Sequence, residues 1–356
     1  GGADILRATS RIGEPMRAHR LIGVVAAVTS VLLIAAPSAL GAGKGGIKIG
    51  APKPVPHSLT LFDLSCPSGH AVTHTVCVVP LQTDFNPYGL SLIRNGVPGP
   101  VHVVPPNGIH LDCPTTTTCV LGDRGGIGWV VNGQSAKVMP LSGMDVLNAV
   151  ACMSATHCLA VGNSGDGAKQ HAVVSVFSEG DSVAYSHAVP GVKNLEDVDC
   201  SGSARCVAIG EAAGAKGAQQ GVAVAINGGK VRKPQRQSSL WTLGSISCGS
   251  PTSCYVVGNS LTNGALHPYV VPIVKGKFGK LVADRAGVVD LSCWNSADCL
   301  GVNIHAVVRL HGGHVVGTTH VRAPSPVQHV ACPTSAGCLI TGGNYGGKEQ
   351  VAIVRP

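Results

Sequence analysis

The sequence is poor in aromatic and charged residues, and these shortages limit the folds open to it. Phe, Trp and Tyr make up 3% of the 356 residues, and Asp, Glu, Lys and Arg make up 12%, about half the charged share of ordinary soluble chains. Outside the N-terminus, no long stretch repeats apolar residues at the 3.6-residue spacing of a helix. This composition disfavours a helical fold and favours short buried strands of Val, Ile, Leu and Ala, joined by turns that use many of the 48 glycines.

The N-terminal region contains an uncharged apolar segment. Arg17 and Arg20 precede the run Leu21–Ala36, and small residues then lead to a cleavage sequence ending at Gly41. These features are typical of a secretory signal peptide. The run is short for a membrane span, which needs about 20 residues; a retained N-terminal anchor is the alternative.

We therefore expect two parts in the chain. Residues 1–41 would be an upstream segment plus a signal peptide with its natural start at Met16. Residues 42–356 would form one domain without a membrane span, secreted to the extracellular space or associated with the cell envelope.

Fourteen cysteines in an exported chain predict disulfides. They fall into seven pairs: Cys66 with Cys77, Cys113 with Cys119, Cys152 with Cys158, Cys200 with Cys206, Cys248 with Cys254, Cys293 with Cys299 and Cys332 with Cys338. Six pairs have the spacing C-x5-C, which differs from the C-x2-C and C-x4-C spacings of zinc sites. We expect one disulfide for each pair, no metal and no cofactor.

The cysteine pairs mark a repeat with a period of roughly 40 to 50 residues, as in propeller blades. One strand runs into the first cysteine, a second leaves the other cysteine, and a third, apolar strand ends in a turn that leads to a fourth. The expected turns are Asn95-Gly96, Asn132-Gly133, Glu179-Gly180, Asn227-Gly228, Lys275-Gly276 and His311-Gly312. The sequence predicts an all-β, seven-bladed β-propeller of four-stranded antiparallel blades.

The seventh repeat lacks a fourth strand because the sequence stops after Val351–Pro356. A spare strand is available at Gly46–Pro52 or just after it. We expect this N-terminal strand to complete the seventh blade and close the ring, which removes two open sheet edges.

The repeat core S-C-x5-C-x-x-V-G, as in Ser247–Gly258, resembles secreted actinobacterial propellers of the BNR or Asp-box-like, YVTN-like and WD40-like kind. The resemblance covers about residues 57–356. The Asp-box proper, S-x-D-x-G-x-x-W, is degenerate and leaves fragments such as Asn227-Gly228-Gly229. The resemblance implies the fold and says little about activity. Sialidases are similar in repeat class, but we match no arginine triad and no Tyr–Glu pair to this sequence.

The loops between the second and third strands are the candidate ligand-binding rim, because loops on a rigid scaffold carry function. They contain the polar residues Asp123, Asn163, Asp166, Glu211, Asn259, Asn303 and Asn344. Such a ring suits a sugar, a peptide or a cation. The alternative is that Gly-Asn and Gly-Asp pairs simply make good turns.

Two further clusters are best interpreted as solvated surface. His311, His314 and His320 lie near one hairpin, although histidine is also the commonest metal ligand. The basic run from Lys230 to Arg236 lies on an expected outer strand. Affinity for anionic cell-wall polymers or phospholipid headgroups is the alternative in a chain of net charge +8.

No catalytic motif emerges, so the sequence favours a non-catalytic binding scaffold. We expect a monomer that presents its loop face to a cell-wall glycan, a peptide or a partner protein, and not to nucleic acid, since no aromatic platform is evident. The alternative is an extracellular glycoside hydrolase or lyase with its active site at the channel mouth.

Overall fold

The computed structural model describes most of the chain beyond the expected signal peptide. The described residues are 46–83, 88–103, 109–123, 126–202, 204–214, 218–321, 326–343 and 349–356, without the side chains of 135–137. The expected signal peptide, residues 1–41, and the candidate rim residue Asn344 lie outside them. Within the described ranges no helix is long and apolar enough to cross a membrane.

Seven antiparallel sheets follow one another along the chain, each built around one cysteine pair. The first three blades, from the inner strand outward, are β3 (Ser58–Leu61), β4 (Val76–Thr83), β5 (Tyr88–Arg94) and β6 (Val97–Val103); β7 (His110–Asp112), β8 (Thr118–Asp123), β9 (Gly126–Val131) and β10 (Gln134–Met139); and β12 (Val146–Cys152), β13 (His157–Ser164), β14 (His171–Ser178) and β15 (Ala184–Ala188). A short strand, β11 (Leu141–Ser142), pairs in parallel with β15. A single 3-10 turn, Gly167–Lys169, precedes β14 in the described residues.

The remaining blades keep the same order, with the outer strand split in two in blades 4, 5 and 7. They consist of β16 (Asn194–Cys200), β17 (Arg205–Ala213), β18 (Gln219–Asn227), β19 (Lys230–Val231) and β20 (Gln235–Gln237); β21 (Thr242–Ser250), β22 (Ser253–Thr262), β23 (Ala265–Val274), β24 (Lys277–Phe278) and β25 (Val282–Ala283); β26 (Asp290–Cys293), β27 (Asp298–Asn303), β28 (Ala306–His311) and β29 (His314–His320); and β30 (Val327–Thr334), β31 (Gly337–Gly342) and β32 (Gln350–Arg355), completed by β1 (Lys48–Ile49) and β2 (Lys53–Pro54). The seven-bladed propeller is confirmed.

The N-terminal strand closes the ring, as the sequence predicts. Lys48 and Ile49 pair antiparallel with Arg355 and Val354, and β2 pairs further along the same strand, β32. Val55 then donates its N–H to the Glu349 carbonyl at 2.7 Å and is fully buried. The outer edge of the last blade is therefore built from the other end of the domain.

All seven expected disulfides form, and each bridge joins the first two strands of one blade. Cys66 is bonded to Cys77, Cys113 to Cys119, Cys152 to Cys158, Cys200 to Cys206, Cys248 to Cys254, Cys293 to Cys299 and Cys332 to Cys338. No cysteine of the described chain is free. In blades 3, 4 and 6 the two bonded cysteines lie directly opposite each other in the register of the first two strands. Seven disulfides favour an oxidising, extracellular environment.

The hairpins between the third and fourth strands mostly use two residues with positive φ, as type I′ turns require. Asn95 and Gly96 have φ of 52° and 67°, and Lys275 and Gly276 have 51° and 75°. In blades 4 and 6 the positive pair is one residue later than expected, at Gly228-Gly229 and Gly312-Gly313. Blade 3 differs, because five residues separate Ser178 from Ala184 and the Glu179-Gly180 turn is not a two-residue hairpin.

The core is divided among the junctions between neighbouring blades. Seven clusters of buried side chains each join two consecutive blades, including the seventh and the first. Most members are Val, Ala, Leu and Ile. At the junction of blades 2 and 3, two large aromatic side chains, Trp129 and Phe177, pack edge to face with ring centres 6.3 Å apart.

Candidate functional site

The inner strands of the seven blades surround a central channel with a volume of about 1170 Å³. Its wall includes six acidic side chains and, among the described residues, no Lys or Arg; the acidic residues are Asp63, Asp112, Glu196, Asp197, Asp199 and Asp290. Acidic groups are thus concentrated inside a protein whose net charge is +8. Each inner strand runs toward its first cysteine, so the disulfides surround one mouth. The other mouth, beside the loops between second and third strands, is here called the loop mouth.

Polar side chains immediately before the first cysteine link blades 1, 2, 4, 5 and 6 each to the next blade, whereas blade 7 has Ala331 at this position. Ser65 accepts a hydrogen bond from the backbone N–H of Cys113 at 2.9 Å, and Asp112 accepts one from Cys152 at 2.6 Å. The same bond recurs from Asp199, Ser247 and Ser292 to the next blade. We call this set the cross-blade ladder. Blade 3 has Ala151 at this position. The backbone N–H of Cys200, in blade 4, therefore donates instead to the carboxylate of Asp199 in its own strand.

A second row of carboxylates lies three residues before the first cysteine. Asp63, Asp197 and Asp290 each accept a backbone N–H of the next blade, at 2.9 Å in all three cases. Each also accepts the N–H of the residue that follows it. Most channel aspartates therefore hold blades together, because they satisfy backbone donors that the inner strands would otherwise leave unpaired.

Burial shifts the ionisation of four of the channel aspartates toward their neutral forms. It raises the pKa of the Asp112 carboxyl to about 7 and raises the pKa values of Asp63, Asp197 and Asp199, while the N–H donors act in the opposite direction. Burial also lowers the pKa of the His110 imidazole to about 4. Near neutral pH the wall therefore offers hydrogen-bond donors as well as acceptors.

A β-bulge points one extra residue of the inner strand toward the channel in blades 3, 4, 5 and 7. The register shifts around Asn148, Glu196, Gly244 and Gln328, which all line the channel four residues before a first cysteine. Since the strand runs from the loop mouth to the disulfides, these residues lie on the loop-mouth side. Bulges commonly re-aim side chains at functional sites.

The bulge also explains the glycine of the repeated V-G pair. Gly258 lies opposite the bulge of blade 5, and a Cβ there would be 2.5 Å from the Thr242 carbonyl oxygen. Gly162, Gly210 and Gly342 would collide with the inner-strand backbone in the same way. The glycine of the sequence motif is therefore required by the close approach of the first two strands at the bulge.

Three carboxamides and two carboxylates meet at the loop mouth between blades 3 and 4. Asn194 Oδ1 accepts hydrogen bonds from Asn163 at 2.8 Å and from Asn148 at 2.9 Å, and its amide donates to Glu196. Glu211 pairs with Asn194 in the strand register. Burial raises the pKa values of both glutamates, and the charge of Glu211 raises that of Glu196 further. We call these five residues the mouth cluster.

The structure brings two of the candidate rim residues, Asn163 and Glu211, into this cluster. Asn303 instead shapes its own turn, since its Oδ1 accepts the His305 N–H at 2.8 Å. Asn259 donates to Thr242 Oγ1 at 3.3 Å, and Asp166 is exposed beside the 3-10 turn. Asp123 is half-buried at the end of β8. A complete ring of the expected residues is not formed by the described part of the chain, and their role in binding stays a prediction.

Several residues of the site were missed from sequence: Asn148, Asn194, Glu196, Gln328 and the channel aspartates. The signal was the alternation of polar residues before the first cysteine, as in Asp197-Val198-Asp199-Cys200. A further feature is an aromatic pair, in which the ring of Phe62, on the channel wall, lies 5.5 Å from that of Tyr88 at the start of β5.

No group of three or more His, Cys, Asp or Glu side chains in the described ranges is arranged to hold a metal ion. In the histidine cluster, His311 Nδ1 lies 2.9 Å from Asp298 Oδ1 and is exposed. Its neighbours His314 and His320 are also exposed.

Comparison with known proteins identifies the fold and nothing narrower. No protein-family model and no curated protein sequence matches the chain. Among solved structures, hydrazine synthase from Kuenenia stuttgartiensis is similar with a TM-score of 0.64 and 11% identity, covering 83% of this chain and 96% of that one. The WD40 β-propeller domain of Doa1 is similar with a TM-score of 0.55 and 11% identity, covering 87% and 96%. At this identity the likeness concerns the propeller fold alone.

Proposed function

We propose that the protein is a secreted, non-catalytic binding scaffold that holds a cell-wall glycan at the loop mouth. The observation that carries the proposal is the composition of that mouth, where Phe62, the channel-lining member of an aromatic pair, lies on the same channel wall as bulge-directed carboxamide and carboxylate groups. Propeller folds commonly serve in binding roles, and sites on them are built from loops and channel rims. A peptide or a partner protein is the other ligand that the same chemistry suits.

Not every polar group at the mouth forms a hydrogen bond within the described part of the protein. Gln328 Oε1 is buried without a hydrogen-bond partner among the described residues. A buried acceptor without a partner is costly, by about 1–3 kcal/mol, so it is expected to meet a donor such as a sugar hydroxyl. The aromatic faces of Phe62 and Tyr88 supply the apolar contact that a sugar ring also needs.

A glycan array and a peptide panel test the proposal directly. Gly244→Leu should block the mouth without disturbing the fold, because a Cβ at Gly244 meets nothing within 4 Å. Gln328→Ala should weaken binding about 3- to 10-fold through loss of one neutral hydrogen bond. His314→Ala is the control, since His314 is exposed on the hairpin between β28 and β29 and does not line the channel.

Absence of any glycan or peptide ligand would contradict the proposal. Binding that survives both Gly244→Leu and Gln328→Ala would place the ligand elsewhere.

A second candidate is a glycoside hydrolase or lyase at the same mouth. It is favoured by Glu196 and Glu211, two neighbouring carboxyl groups with raised pKa values, since general acids need such values near neutral pH. Turnover of a cell-wall polysaccharide that is abolished in both Glu196→Gln and Glu211→Gln would establish this function. Binding without turnover, retained in Glu211→Gln, would favour the scaffold.

The remaining expectations from sequence belong to the same proposal. These are cleavage of a signal peptide before residue 42, a single domain over residues 42–356, a monomer in solution, and a closer kinship to secreted Asp-box-like propellers. The seven disulfides support export. Mass spectrometry of the protein isolated from its source would establish the mature N-terminus.

A further inference from the structure

The cations of this protein are concentrated on one part of its rim, the adjoining outer edges of blades 4 and 5. No Asp or Glu occurs between residues 212 and 283. Seven exposed cations lie in the described part of that segment, and six of them define the basic edge: Lys230, Arg232, Lys233, Lys275, Lys277 and Lys280. Arg236 is excluded, because its guanidinium donates to the carbonyls of Ala213 and Gly191 and serves the fold.

The two halves of the basic edge meet across the blade junction. The outer strand β20 of blade 4 lies against β24 of blade 5, which contains Lys277. The Lys275-Gly276 turn packs on Ala225 of blade 4, since a Cβ at Gly276 would be 3.1 Å from the Ala225 Cβ. The same Ala225 accepts the Arg232 N–H at 2.9 Å. Arg232 and the Lys275-Gly276 turn are thus both held against the same residue, Ala225.

No carboxylate in the described part of the chain forms an ion pair with these six cations. The ion pairs found among the described residues involve only histidines, His311 with Asp298 and His329 with Asp290. Six of the 18 acidic residues of the chain lie instead on the channel wall. Unopposed cations held close together repel one another and create a positive field outside the protein.

Protection of sheet edges does not account for this distribution. Lysine on an edge strand prevents edge-to-edge aggregation, but proline and β-bulges do so too, so a blade edge does not need a group of lysines. The outer strands of blades 1, 3 and 6 contain no Lys or Arg. Those of blades 1 and 6 expose Val103 at 65% and Val316 at 56% instead. The charges on blades 4 and 5 therefore need another explanation.

We propose that the basic edge binds an anionic glycan polymer of the cell wall, one that bears phosphate or carboxylate groups along its length. A polymer suits the site because the cations extend over two blades instead of surrounding a pocket. A membrane surface suits it less, since interfacial binding needs large apolar side chains beside the cations. The exposed large apolar residue here is Val274, and Phe278 is half-buried. This site is separate from the loop mouth and does not depend on it.

The test measures binding to two purified polymers, poly(glycerol phosphate) for phosphate groups and polygalacturonate for carboxylate groups. Binding is measured at about 50, 150 and 300 mM NaCl, because charge–charge contacts are screened more strongly as the ionic strength rises through this range. One variant carries Lys230→Gln, Arg232→Gln and Lys233→Gln, and a second carries Lys275→Gln, Lys277→Gln and Lys280→Gln. The matched control carries Lys48→Gln, Lys53→Gln and Arg355→Gln, three exposed edge cations of blade 7. All three variants lose the same charge.

We expect each basic-edge variant to weaken binding to at least one polymer by about tenfold or more. Its salt dependence should also fall by about one power of the salt concentration for each substituted cation that binds the polymer. The control should change affinity by less than about threefold, since net charge alone acts weakly at 150 mM salt.

An equal decrease of affinity in the control would reduce the effect to net charge and overturn the proposal. So would a wild-type protein that ignores both polymers, or one that uses these residues only for phosphatidylglycerol vesicles. Unchanged glycan binding at the loop mouth in all three variants would leave the proposed function standing.

Discussion

The cross-blade ladder predicts what a single hydroxyl contributes to the stability of the ring. Ser292 Oγ accepts the N–H of Cys332 at 2.9 Å, and Cys332 is 7% exposed. Ser292→Ala removes the acceptor and leaves a buried donor unpaired, which costs about 1–3 kcal/mol. The total stability of a domain is about 5–15 kcal/mol, so the loss is measurable. The double variant Ser65→Ala/Ser292→Ala should lose about the sum, because the two bonds lie at different blade junctions.

The chain supplies a matched control at the equivalent position of blade 3. Ala151→Ser adds a hydroxyl facing Cys200, but the Cys200 N–H already donates to Asp199 Oδ1 at 2.6 Å. We expect a change within about 0.5 kcal/mol. The assay is guanidinium unfolding without reductant, followed by circular dichroism, comparing midpoints and slopes. If Ser292→Ala unfolds at the wild-type midpoint, or Ala151→Ser shifts it as much, the ladder is not a source of stability.

Three further results are expected. Burial raises the pKa of Asp112 from 3.8 to about 7, so its contribution to stability is full below about pH 4 and declines until the pH reaches about 7; Asp112→Asn should flatten the fall in melting temperature between pH 4 and 7, and an unchanged slope would contradict the assignment. Gly258→Ala should destabilise by about 1–3 kcal/mol through its collision with Thr242, whereas Gly244→Ala, which meets nothing within 4 Å, should not; equal effects would show that the bulge tolerates a side chain. A chain starting at residue 55 lacks β1 and β2 and should melt lower and self-associate compared with one starting at residue 42, because it exposes the edge of β32; equal melting temperatures and a monomeric elution would mean that these strands do not secure the ring.

Much of the architecture follows from local signals in the sequence. Each C-x5-C pair specifies a hairpin with its own bridge, and an Asn-Gly pair such as Asn132-Gly133 specifies where the next strand turns back. Closure by the N-terminal strand followed from counting strands. The misplaced details, Gly228-Gly229 in blade 4 and the longer hairpin of blade 3, lie where a neighbouring glycine or a longer loop offered the chain another turn.

The candidate site was less accessible to sequence reasoning. Asn163 and Glu211 were found because they follow a conspicuous glycine, yet Asn259 and Asn303 follow similar signals and bond locally instead. Their sequence contexts are alike, and only their neighbours in space differ. The mouth cluster exists because Asn194 and Asn148, on two different blades, approach to 2.9 Å.

The sequence by itself determined the blade count, the disulfides, the approximate positions of the turns and the closing strand, because these depend on residues close together in the chain or on a repeat that is visible in it. Only the tertiary structure decided which polar side chains face the channel, since that depends on the bulge and on the packing of one inner strand against the next. It also revealed that the aspartates before the cysteines bind backbone N–H groups of the neighbouring blade. It also brought the basic residues of blades 4 and 5 to one blade junction. The sequence did not show either arrangement, because the residues that meet lie some 40 to 50 positions apart along the chain.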